Sequence, residues 1–373
     1  MSTALRIDVL DMIPGITLQS VQRLYKTLDA ATQTGDKVAL GESLRHLTLQ
    51  VISSSFLSLS AEESDSTFAH FYLPIVDECN KRVWHPERAY MWFMPFFWKH
   101  LYYVHRLNSY VSSLIWNRWN QRRAGQEPSG DMLDRVLDQY EKEFPNQPLT
   151  KSAAKQFRDE MKTFMLAGHE TSAAMMTWCF YELMGNASLL NQVVTEAESV
   201  FGTSDWNQVD TNALPPRDEL SNLVLSECCL KEALRKYAVV PMVTRQVVEP
   251  IEFGPHSVPA GTTLLIAMNG VHHDPSIWPD PMTFDPHRFL SDTRPAPYTF
   301  LPFIEGPRNC LGQHLALLES KMVVALVLQR FELKMDKTIV SELNGSDSDP
   351  RHRYMVPIIP KHEIYVTCTR RKK

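Results

Sequence analysis

The stretch Phe303-Ile304-Glu305-Gly306-Pro307-Arg308-Asn309-Cys310-Leu311-Gly312 holds a single cysteine between two glycines. An apolar run follows it directly, spaced as one broad face of a helix: Leu315, Leu317, Leu318, Met322, Val323, Ala325, Leu326 and Val327. This spacing predicts Cys310 at the mouth of a helix. There the positive end of the helix dipole and free backbone N–H groups favour a thiolate over a thiol.

Three neighbours of Cys310 suit a flat ligand that carries negative charge. Gly306 and Gly312 lack a Cβ, so the backbone can turn sharply and a ligand can lie close against it. Arg308 offers a cation to an anionic group beside the sulfur. A thiolate presented in this way suits a metal with one soft protein ligand, and haem iron is the common example. The alternative is that Cys310 is an ordinary small buried residue.

The composition describes a globular chain of 373 residues, 44% hydrophobic and 22% charged, which can bury a sizeable core. A net charge of −5 argues against nucleic acid as a partner. The six cysteines form no CxxC pair and no zinc spacing, which indicates a reducing compartment without a disulfide framework. The chain has no apolar run of about 18 residues and no secretory signal.

Hydrophobic periodicity predicts a mainly helical chain with a small region of strands after residue 250. The predicted helices cover residues 18–33, 41–60, 66–81, 107–123, 132–140 and 151–185. Pro74 is expected to kink or interrupt the third of them.

Residues 83–103 combine two prolines with an unusual density of aromatic side chains, namely Trp84, Tyr90, Trp92, Phe93, Phe96, Phe97, Trp98, Tyr102 and Tyr103. This pattern is not typical of an amphipathic helix in a soluble protein. Three interpretations are open. The segment is a buried loop packed on the core, a wall of an apolar ligand pocket, or a loop that dips into a membrane interface, where Trp and Tyr concentrate.

The predicted helix over residues 151–185 contains Ala167-Gly168-His169-Glu170-Thr171-Ser172. A glycine inside a helix costs roughly 1 kcal/mol relative to alanine, so a local benefit is expected at Gly168. Glu170 and Thr171 put a carboxylate beside a hydroxyl, which favours a groove that holds an acid and an alcohol. The alternative is a simple kink, with Glu170 solvated and Thr171 bonded back to a carbonyl oxygen.

The pattern Phe303-x-x-Gly306-x-Arg308-x-Cys310-x-Gly312 resembles the haem-binding loop of the cytochrome P450 superfamily. Other signatures precede it in the order typical of the family, namely the segment Ala167 to Thr171, Glu232-x-x-Arg235 and Pro286-x-Arg288-Phe289. The resemblance covers residues 18–365. It implies a mainly α cytochrome P450 fold, a helical bundle with a long oxygen-binding helix and a small β-sheet region, in a single domain over residues 1–373.

The resemblance implies haem b (iron protoporphyrin IX) as the cofactor, with Cys310 as the axial ligand of its iron. The residues implied to border or hold the haem are Phe303, Gly306, Arg308, Gly312, Arg245, Ala167 and Gly168. Among these, Phe303 packs beside the sulfur, and Arg308 and Arg245 pair with propionates. Ala167 and Gly168 make room for O2.

The implied activity is that of a monooxygenase, which inserts one oxygen atom of O2 into an apolar small molecule. Glu170 and Thr171 are implied to relay protons. The implied structural residues form a buried network that holds the cysteine loop, namely Glu232, Arg235 and Arg288. Because no flavin or nicotinamide fingerprint is present, electrons are expected from an NADPH-dependent reductase. Its docking face is expected near Arg308, Gln313 and Lys321.

Members of the family usually exceed this chain in length, so an N-terminal part is expected to be missing: the membrane anchor and the first helices and strands of a eukaryotic, microsomal-like enzyme. Residues 1–15 would be the end of the last missing helix or the loop after it. The expected location of the full-length protein is the cytosolic face of the endoplasmic reticulum or another intracellular membrane, and residues 83–103 are the candidate for the membrane contact. Two alternative functions are open, a non-catalytic truncated remnant and a haem-thiolate isomerase or lyase without a reductase.

Overall fold

The computed structural model describes residues 10–202, 214–290, 295–336 and 357–371. These ranges contain nine helices of 12 or more residues: α1 (Ile13–Thr34), α2 (Leu40–Leu57), α3 (Ala69–Trp84), α4 (Pro95–Arg123), α5 (Met132–Glu143), α6 (Lys151–Gly185), α7 (Ala187–Phe201), α8 (Val224–Tyr237) and α9 (Gln313–Arg330). Shorter helical segments lie at Ala61–Glu63, Ser64–Phe68, Pro86–Tyr90, Arg217–Leu220, Met268–His272 and Pro286–Phe289.

Helix α9 lies at the centre of the core, in contact with α1, α6, α7 and α8. Almost every side chain from Leu315 to Leu328 is buried, so this mostly apolar helix is covered on all sides by others. Helix α6 packs along α2 and also contacts α4 and α8. The two helices that carry the predicted site, α6 and α9, are therefore fixed by the same core.

Seven short strands are present in the described ranges: β1 (Val38–Ala39), β2 (Met242–Gln246), β3 (Ile251–Phe253), β4 (His256–Val258), β5 (Thr263–Ala267), β6 (Phe331–Met335) and β7 (Tyr365–Arg370). They form an antiparallel sheet in the order β1-β7-β6 and two antiparallel pairs, β2-β5 and β3-β4. The register of β2-β5 sets Arg245 opposite Leu264. The strands are small and peripheral, and the helices supply the core.

The predicted helices are confirmed, with changes at their ends. Helix α6 has the predicted bounds. Helix α1 ends one residue beyond the predicted range, at Thr34, where Gly35 has a φ of 75° and its N–H donates to Ala31 O over 2.8 Å. Pro74 does not interrupt α3, which continues as a helix through it. Of the N-terminal segment 1–15, residues 1–9 lie outside the described residues, and Ile13 already belongs to α1.

The structure corrects the interpretation of residues 83–103 as a buried loop. Helix α4 begins at Pro95, twelve residues before the predicted start at residue 107, and its buried side chains begin only at Leu107. Most of the aromatic side chains before that point face solvent, with Tyr90 80% and Trp92 and Phe93 each 66% exposed, whereas Phe96, Phe97 and Tyr103 are half-buried. We define residues 83–103 as the aromatic segment. Apart from Tyr103, which packs against the core, its side chains stay outside the core because the amphipathic part of α4 starts beyond them.

Among the described residues, no helix combines the length and the apolar character needed to cross a membrane.

Candidate functional site

The cysteine loop, residues 301–312, leads directly into α9. Gly312 is the residue before the first helical turn, so Cys310 stands two residues ahead of the helix cap, as predicted. The Cys310 N–H donates to Phe303 O over 2.8 Å, and Asn309 N–H donates to Gly306 O over 3.1 Å. Gly306 has a φ of 84°, which favours glycine. The loop is thus closed by its own backbone and presents the sulfur at its end.

The two glycines of the loop differ in what they contribute. Gly312 has a φ of −87°, which any residue adopts, so the predicted need for a sharp turn is wrong there. A Cβ at Gly312 would lie 4.0 Å from Cys310 Sγ, an ordinary van der Waals contact. Its absence leaves the space beside the sulfur open.

Two opposing effects act on the Cys310 thiol. Partial burial raises its pKa, and the backbone N–H groups of Gly312 and Gln313 lower it, with burial the stronger. The helix mouth therefore offers hydrogen bonds to the sulfur, as predicted, but does not by itself favour a thiolate. A positively charged partner at the sulfur would supply the missing stabilisation of the anion.

A cavity of about 360 Å³ separates the cysteine loop from α6. Six predicted site residues line it: Cys310, Phe303 and Gly312 from the loop, and Ala167, Gly168 and Thr171 from α6. The rest of the lining is mostly apolar, namely Ile52, Phe56, Phe164, Ser172, Met175, Leu234, Val239, Val240, Pro302, Ile304, Leu311, Leu315 and Ala316. No residue of the aromatic segment is part of this lining, so the interpretation of that segment as a pocket wall gains no support here.

The wall opposite Cys310 is formed by one side of α6. A Cβ on Gly168 would lie 2.6 Å from Ile52 Cδ1, so the glycine permits close packing of α6 on α2. This is the local benefit expected of a glycine inside a helix. Thr171 donates its hydroxyl to Ala167 O over 2.6 Å, the back-bonded arrangement given above as the alternative.

Glu170 does not share the cavity of Cys310. It lines a second cavity of about 210 Å³, together with Arg45, Thr177, His362 and Glu363 among others. Arg45 Nε donates to Glu170 Oε1 over 2.7 Å, and Arg45 Nη2 also contacts the exposed Asp77 at 3.3 Å. Glu170 is buried, so the alternative of a solvated carboxylate is wrong.

The charge of Glu170 is stabilised by its partners. Burial alone would raise its pKa, but His169, whose Nε2 lies 2.9 Å from Glu170 Oε1, and Arg45 together lower it below the ordinary value. Adjacent helix residues point about 100° apart, which explains why Glu170 and Thr171 face different cavities. The acid and the alcohol are neighbours in the chain but are not brought to one cavity.

The predicted network of Glu232, Arg235 and Arg288 is present. Arg235 donates to both carboxylate oxygens of Glu232 over 2.7 Å, and both side chains are fully buried. Arg288 Nε lies 3.5 Å from Glu232 Oε1, and Arg288 Nη2 donates to Asp280 O over 3.1 Å. Further donors of Arg235 reach the carbonyl oxygens of Pro281 and Thr283. The buried charges are therefore paired and hydrogen-bonded.

The remaining predicted cations lie outside the cavity lining. Arg308 is exposed and has no hydrogen-bond or ion-pair partner among the described residues. Arg245, on β2, donates to the neighbouring Thr244 O over 2.8 Å. Lys321 is buried and paired with Glu227 at 3.1 Å, so its expected place on a reductase-docking face is wrong. Lys321 is buried because it lies on α9 where this helix contacts α8.

Sequence reasoning missed His272 and Arg45. His272 is buried between Arg235 and the cysteine loop, where its Nε2 accepts from Leu301 N–H over 2.9 Å. The sequence signals neither residue, because each acts through a partner distant along the chain.

The residues present fit a haem group. A mostly apolar cavity suits a flat apolar macrocycle, and a single thiol on its wall suits an iron that prefers one soft ligand. The exposed guanidinium of Arg308 has donors available for a propionate.

Comparisons with known proteins agree with this chemistry. Residues 2–350 match the family model described as cytochrome P450. Cytochrome P450 4X1 of Rattus norvegicus is 36% identical over 215 residues, which cover 56% of this chain and 38% of that relative. Cytochrome P450 4c21 of Blattella germanica is 29% identical over 307 residues, covering 77% and 58% respectively. The matched part thus spans well under two thirds of these relatives' length.

A solved structure shows the same fold. The crystal structure of cytochrome P450DA heme domain superposes with a TM-score of 0.81 at 22% identity, over 100% of this chain and 76% of that one. With the mainly helical architecture, this confirms the expected fold class. The chain belongs to the cytochrome P450 family.

Proposed function

We propose that this protein is a haem-thiolate monooxygenase that inserts one oxygen atom of O2 into an apolar organic substrate and reduces the other to water. The observation that carries the proposal is the Cys310 thiol on the wall of a mostly apolar cavity, opposite Ala167, Gly168 and Thr171. When bound, haem b supplies the binding and reductive activation of O2. The substrate must enter beside an apolar wall that includes Phe56 and Phe164, which favours an apolar molecule.

Cys310 would bind the haem iron through its sulfur, and the loop backbone would hold the sulfur in place. The hydrogen bond from Cys310 N–H to Phe303 O fixes the ends of the loop together. The N–H groups of Gly312 and Gln313 would stabilise charge on the sulfur. Arg308 and Arg245 would pair with the propionates, because both have guanidinium donors available to an anion.

Glu170 and Thr171 would move protons from solvent towards the Cys310 cavity. Glu170 borders a polar cavity, where it can take up a proton, and Thr171 borders the reaction cavity. Because Thr171 donates to Ala167 O, its hydroxyl must rotate away from that carbonyl to donate into the cavity. The relay therefore requires a rotamer change at Thr171 and a change of partner at Glu170.

Electrons would come from an NADPH-dependent reductase that docks on the face of the cysteine loop. Arg308 is exposed there and Gln313 is half-buried, whereas Lys321 takes no part. An exposed cation on this face suits a negatively charged partner.

The first experiment is a carbon monoxide difference spectrum of the reduced, haem-supplemented protein. We expect a far red-shifted Soret band that is lost in Cys310→Ala, because only a thiolate ligand gives that shift. Cys310→Ser serves as the matched control of similar size. A spectrum without the red-shifted band would contradict the proposal and favour the non-catalytic remnant. A red-shifted band that Cys310→Ala leaves unchanged would contradict the assignment of Cys310 as the ligand.

The second experiment tests the proton relay. In Thr171→Ala, the peroxide released per NADPH consumed should rise, because reduced oxygen escapes when protons arrive late. Thr171→Ser keeps the hydroxyl and should stay near the wild type. If the ratio is the same in all three proteins, Thr171 does not relay protons, and an isomerase or lyase becomes the better interpretation.

We also propose that the aromatic segment contacts a membrane surface, as expected of a protein on the cytosolic face of the endoplasmic reticulum. Support comes from its exposed side chains, with Trp92, Phe93 and Tyr90 all more than half exposed. Trp and Tyr favour the interface between lipid and water. Lys99 is exposed, lies over the ring of Tyr103 and would face lipid headgroups.

This proposal is tested by co-sedimentation with phosphatidylcholine vesicles. The double variant Trp92→Ala with Phe93→Ala should lower the binding constant roughly tenfold or more, given the transfer energy of one or two aromatic side chains. Phe253→Ala is the matched control, because Phe253 is 69% exposed but lies on β3, outside the segment. Equal losses in both variants would contradict a specific role for the aromatic segment.

A further inference from the structure

His272 lies between the buried arginine network and the cysteine loop. It ends the short helix Met268–His272, and its side chain is only 1% exposed. Its backbone oxygen accepts from Arg235 Nη1 over 2.9 Å, and its ring Nε2 accepts from Leu301 N–H over 2.9 Å. The ring also packs on Phe300 at 5.6 Å between centroids. One residue thus holds Arg235 with its backbone and the loop with its side chain.

The direction of the hydrogen bond identifies the form of the ring. A backbone N–H can only donate, so Nε2 must carry a lone pair, and the proton of a neutral ring is then on Nδ1. Burial first, and then the charge of Arg235, lower the pKa of His272 to about 4, which agrees with a neutral ring. Nδ1 is buried and has no partner among the described residues. An unpaired buried donor is unfavourable, so the bond at Nε2 must outweigh it.

Leu301 connects this bond to the sulfur. Its carbonyl oxygen accepts from Ile304 N–H over 3.2 Å, and two residues further on Phe303 O accepts from Cys310 N–H over 2.8 Å. The path from Arg235 through His272 and Leu301 to Cys310 therefore consists of hydrogen bonds and a short piece of backbone. Within the described part of the chain, it is a direct polar connection between the buried network and the loop.

We infer that His272 is a positioning residue. By accepting the hydrogen bond from Leu301 N–H, it fixes the position of the cysteine loop and therefore of Cys310 Sγ. The role of the sulfur as a ligand rests on the proposed function, whereas the anchoring of the loop does not. Removal of the acceptor at Nε2 leaves the Leu301 N–H without its partner and frees the first part of the loop. The Glu232–Arg235 pair remains, because His272 holds Arg235 only with its backbone oxygen.

The test measures hydrogen exchange at the amides of residues 299–311 in the protein without haem. In His272→Leu, the Leu301 amide should exchange roughly tenfold faster, the factor expected for one lost buried hydrogen bond. In His272→Gln, whose side-chain amide reaches the position of Nε2, protection should be largely restored. In His272→Asn, shorter by one methylene, it should not be. Amides of α8 should keep their wild-type rates in all variants.

His273 provides the matched control, because it is the neighbouring histidine and its Nε2 lies 2.7 Å from Lys236 O on α8. His273→Leu should leave the Leu301 amide protected. Equal exchange at Leu301 in wild type and His272→Leu would overturn the inference, and so would equal acceleration in His272→Leu and His273→Leu. If His272→Leu does not fold, the Gln and Asn variants make the same comparison.

A second readout uses the haem-loaded protein. The fraction with the red-shifted carbon monoxide band should fall in His272→Asn and recover in His272→Gln. If wild type itself lacks that band, the proposed function fails, but the exchange experiment still decides the role of His272. If the band is present and unchanged in His272→Asn, the inference about the sulfur fails while the proposed function stands.

Discussion

Two of the buried carboxylates, Glu232 and Glu170, are held in opposite ways. Glu232, on α8, is fully buried, paired with Arg235 through both oxygens and bonded also by Asp285 N–H. Glu170, on α6, is paired with Arg45, whose side chain is 29% exposed and reaches out to Asp77. We refer to Glu232, Arg235 and Arg288 as the proximal network, and to Glu170 and Arg45 as the distal pair.

The difference indicates that the buried charge of Glu232 has a structural role, whereas the buried charge of Glu170 is available for proton transfer. A closed ion pair has no path to solvent, so its value lies in what it holds in place. The distal pair borders a cavity with other polar groups, so its carboxylate can exchange partners and protons. Burial alone does not identify a catalytic acid, but burial beside a polar cavity does suggest one. The following predictions test this contrast.

The largest effect is expected in the proximal network. Arg235→Ala leaves the Glu232 charge buried without its main partner, so the free energy of unfolding should fall by roughly 3–5 kcal/mol. Urea denaturation followed by circular dichroism measures this. Lys231→Ala is the control, since the Lys231–Glu227 pair is partly exposed on the same helix and should contribute no more than about 0.5 kcal/mol. Similar losses in the two variants would remove the distinction drawn above.

The distal pair should give a smaller effect that depends on pH. Arg45→Gln should lower the free energy of unfolding at neutral pH by roughly 1.5–3 kcal/mol, the range for a hydrogen bond to a charged group. Asp77→Asn removes only the exposed contact between Arg45 and Asp77, outside the distal pair, and should cost under about 1 kcal/mol. Denaturation at neutral pH, with both variants beside wild type, makes the comparison.

The sign of the pH dependence follows from the pKa of Glu170, which lies below its ordinary value of 4.5 in the folded protein. Such a carboxyl stabilises the folded protein at pH values above its ordinary pKa, and this contribution disappears as the pH falls through the lower pKa of the folded state. Arg45→Gln raises the folded pKa, so less stability should be left to lose on acidification. If the free energy of unfolding falls equally with decreasing pH in wild type and Arg45→Gln, Arg45 does not stabilise the Glu170 carboxylate.

The smallest effect concerns the packing of the distal helix. Gly168→Ala should cost about 1 kcal/mol, since overpacking against Ile52 costs roughly 1–3 kcal/mol and the helix propensity of alanine returns about 1 kcal/mol. Ile52→Val removes the closest clashing carbon, so the double variant should be more stable than the sum of the two changes predicts. Gly185→Ala, with open space around its Cβ at the end of the helix, should cost nothing and should stabilise by up to about 1 kcal/mol. Additive changes would indicate that Gly168 is not packed against Ile52.

Much of the proximal side could be predicted from sequence. The cysteine loop, its helix and the i, i+3 pair of Glu232 and Arg235 all depend on residues close together in the chain. Hydrogen bonds and dipoles within a turn or a helix follow from spacing, so a local pattern specifies them. The addition of Arg288 required the family resemblance, because 53 residues separate it from Arg235.

The distal side and the surface could be predicted only in part. The sequence indicated an acid and an alcohol on α6, but the structure turns them towards different cavities and pairs Glu170 with Arg45, 125 residues away. Lys321 was expected on the surface and is buried, and of the three interpretations left open for the aromatic segment the structure contradicts the buried loop, since the segment is partly helical and mostly exposed. Each of these outcomes depends on which helix packs against which.

By itself, the sequence determined the helical bounds of α6 and the place of Cys310 before α9, because these rest on interactions within a few turns of chain. It also determined the family of this protein, through short motifs and their order along the chain. Only the tertiary structure decided the partner of Glu170, the burial of Lys321 and the contact between His272 and Leu301. Those contacts join segments that meet when the core closes, and burial, not spacing along the chain, selects them.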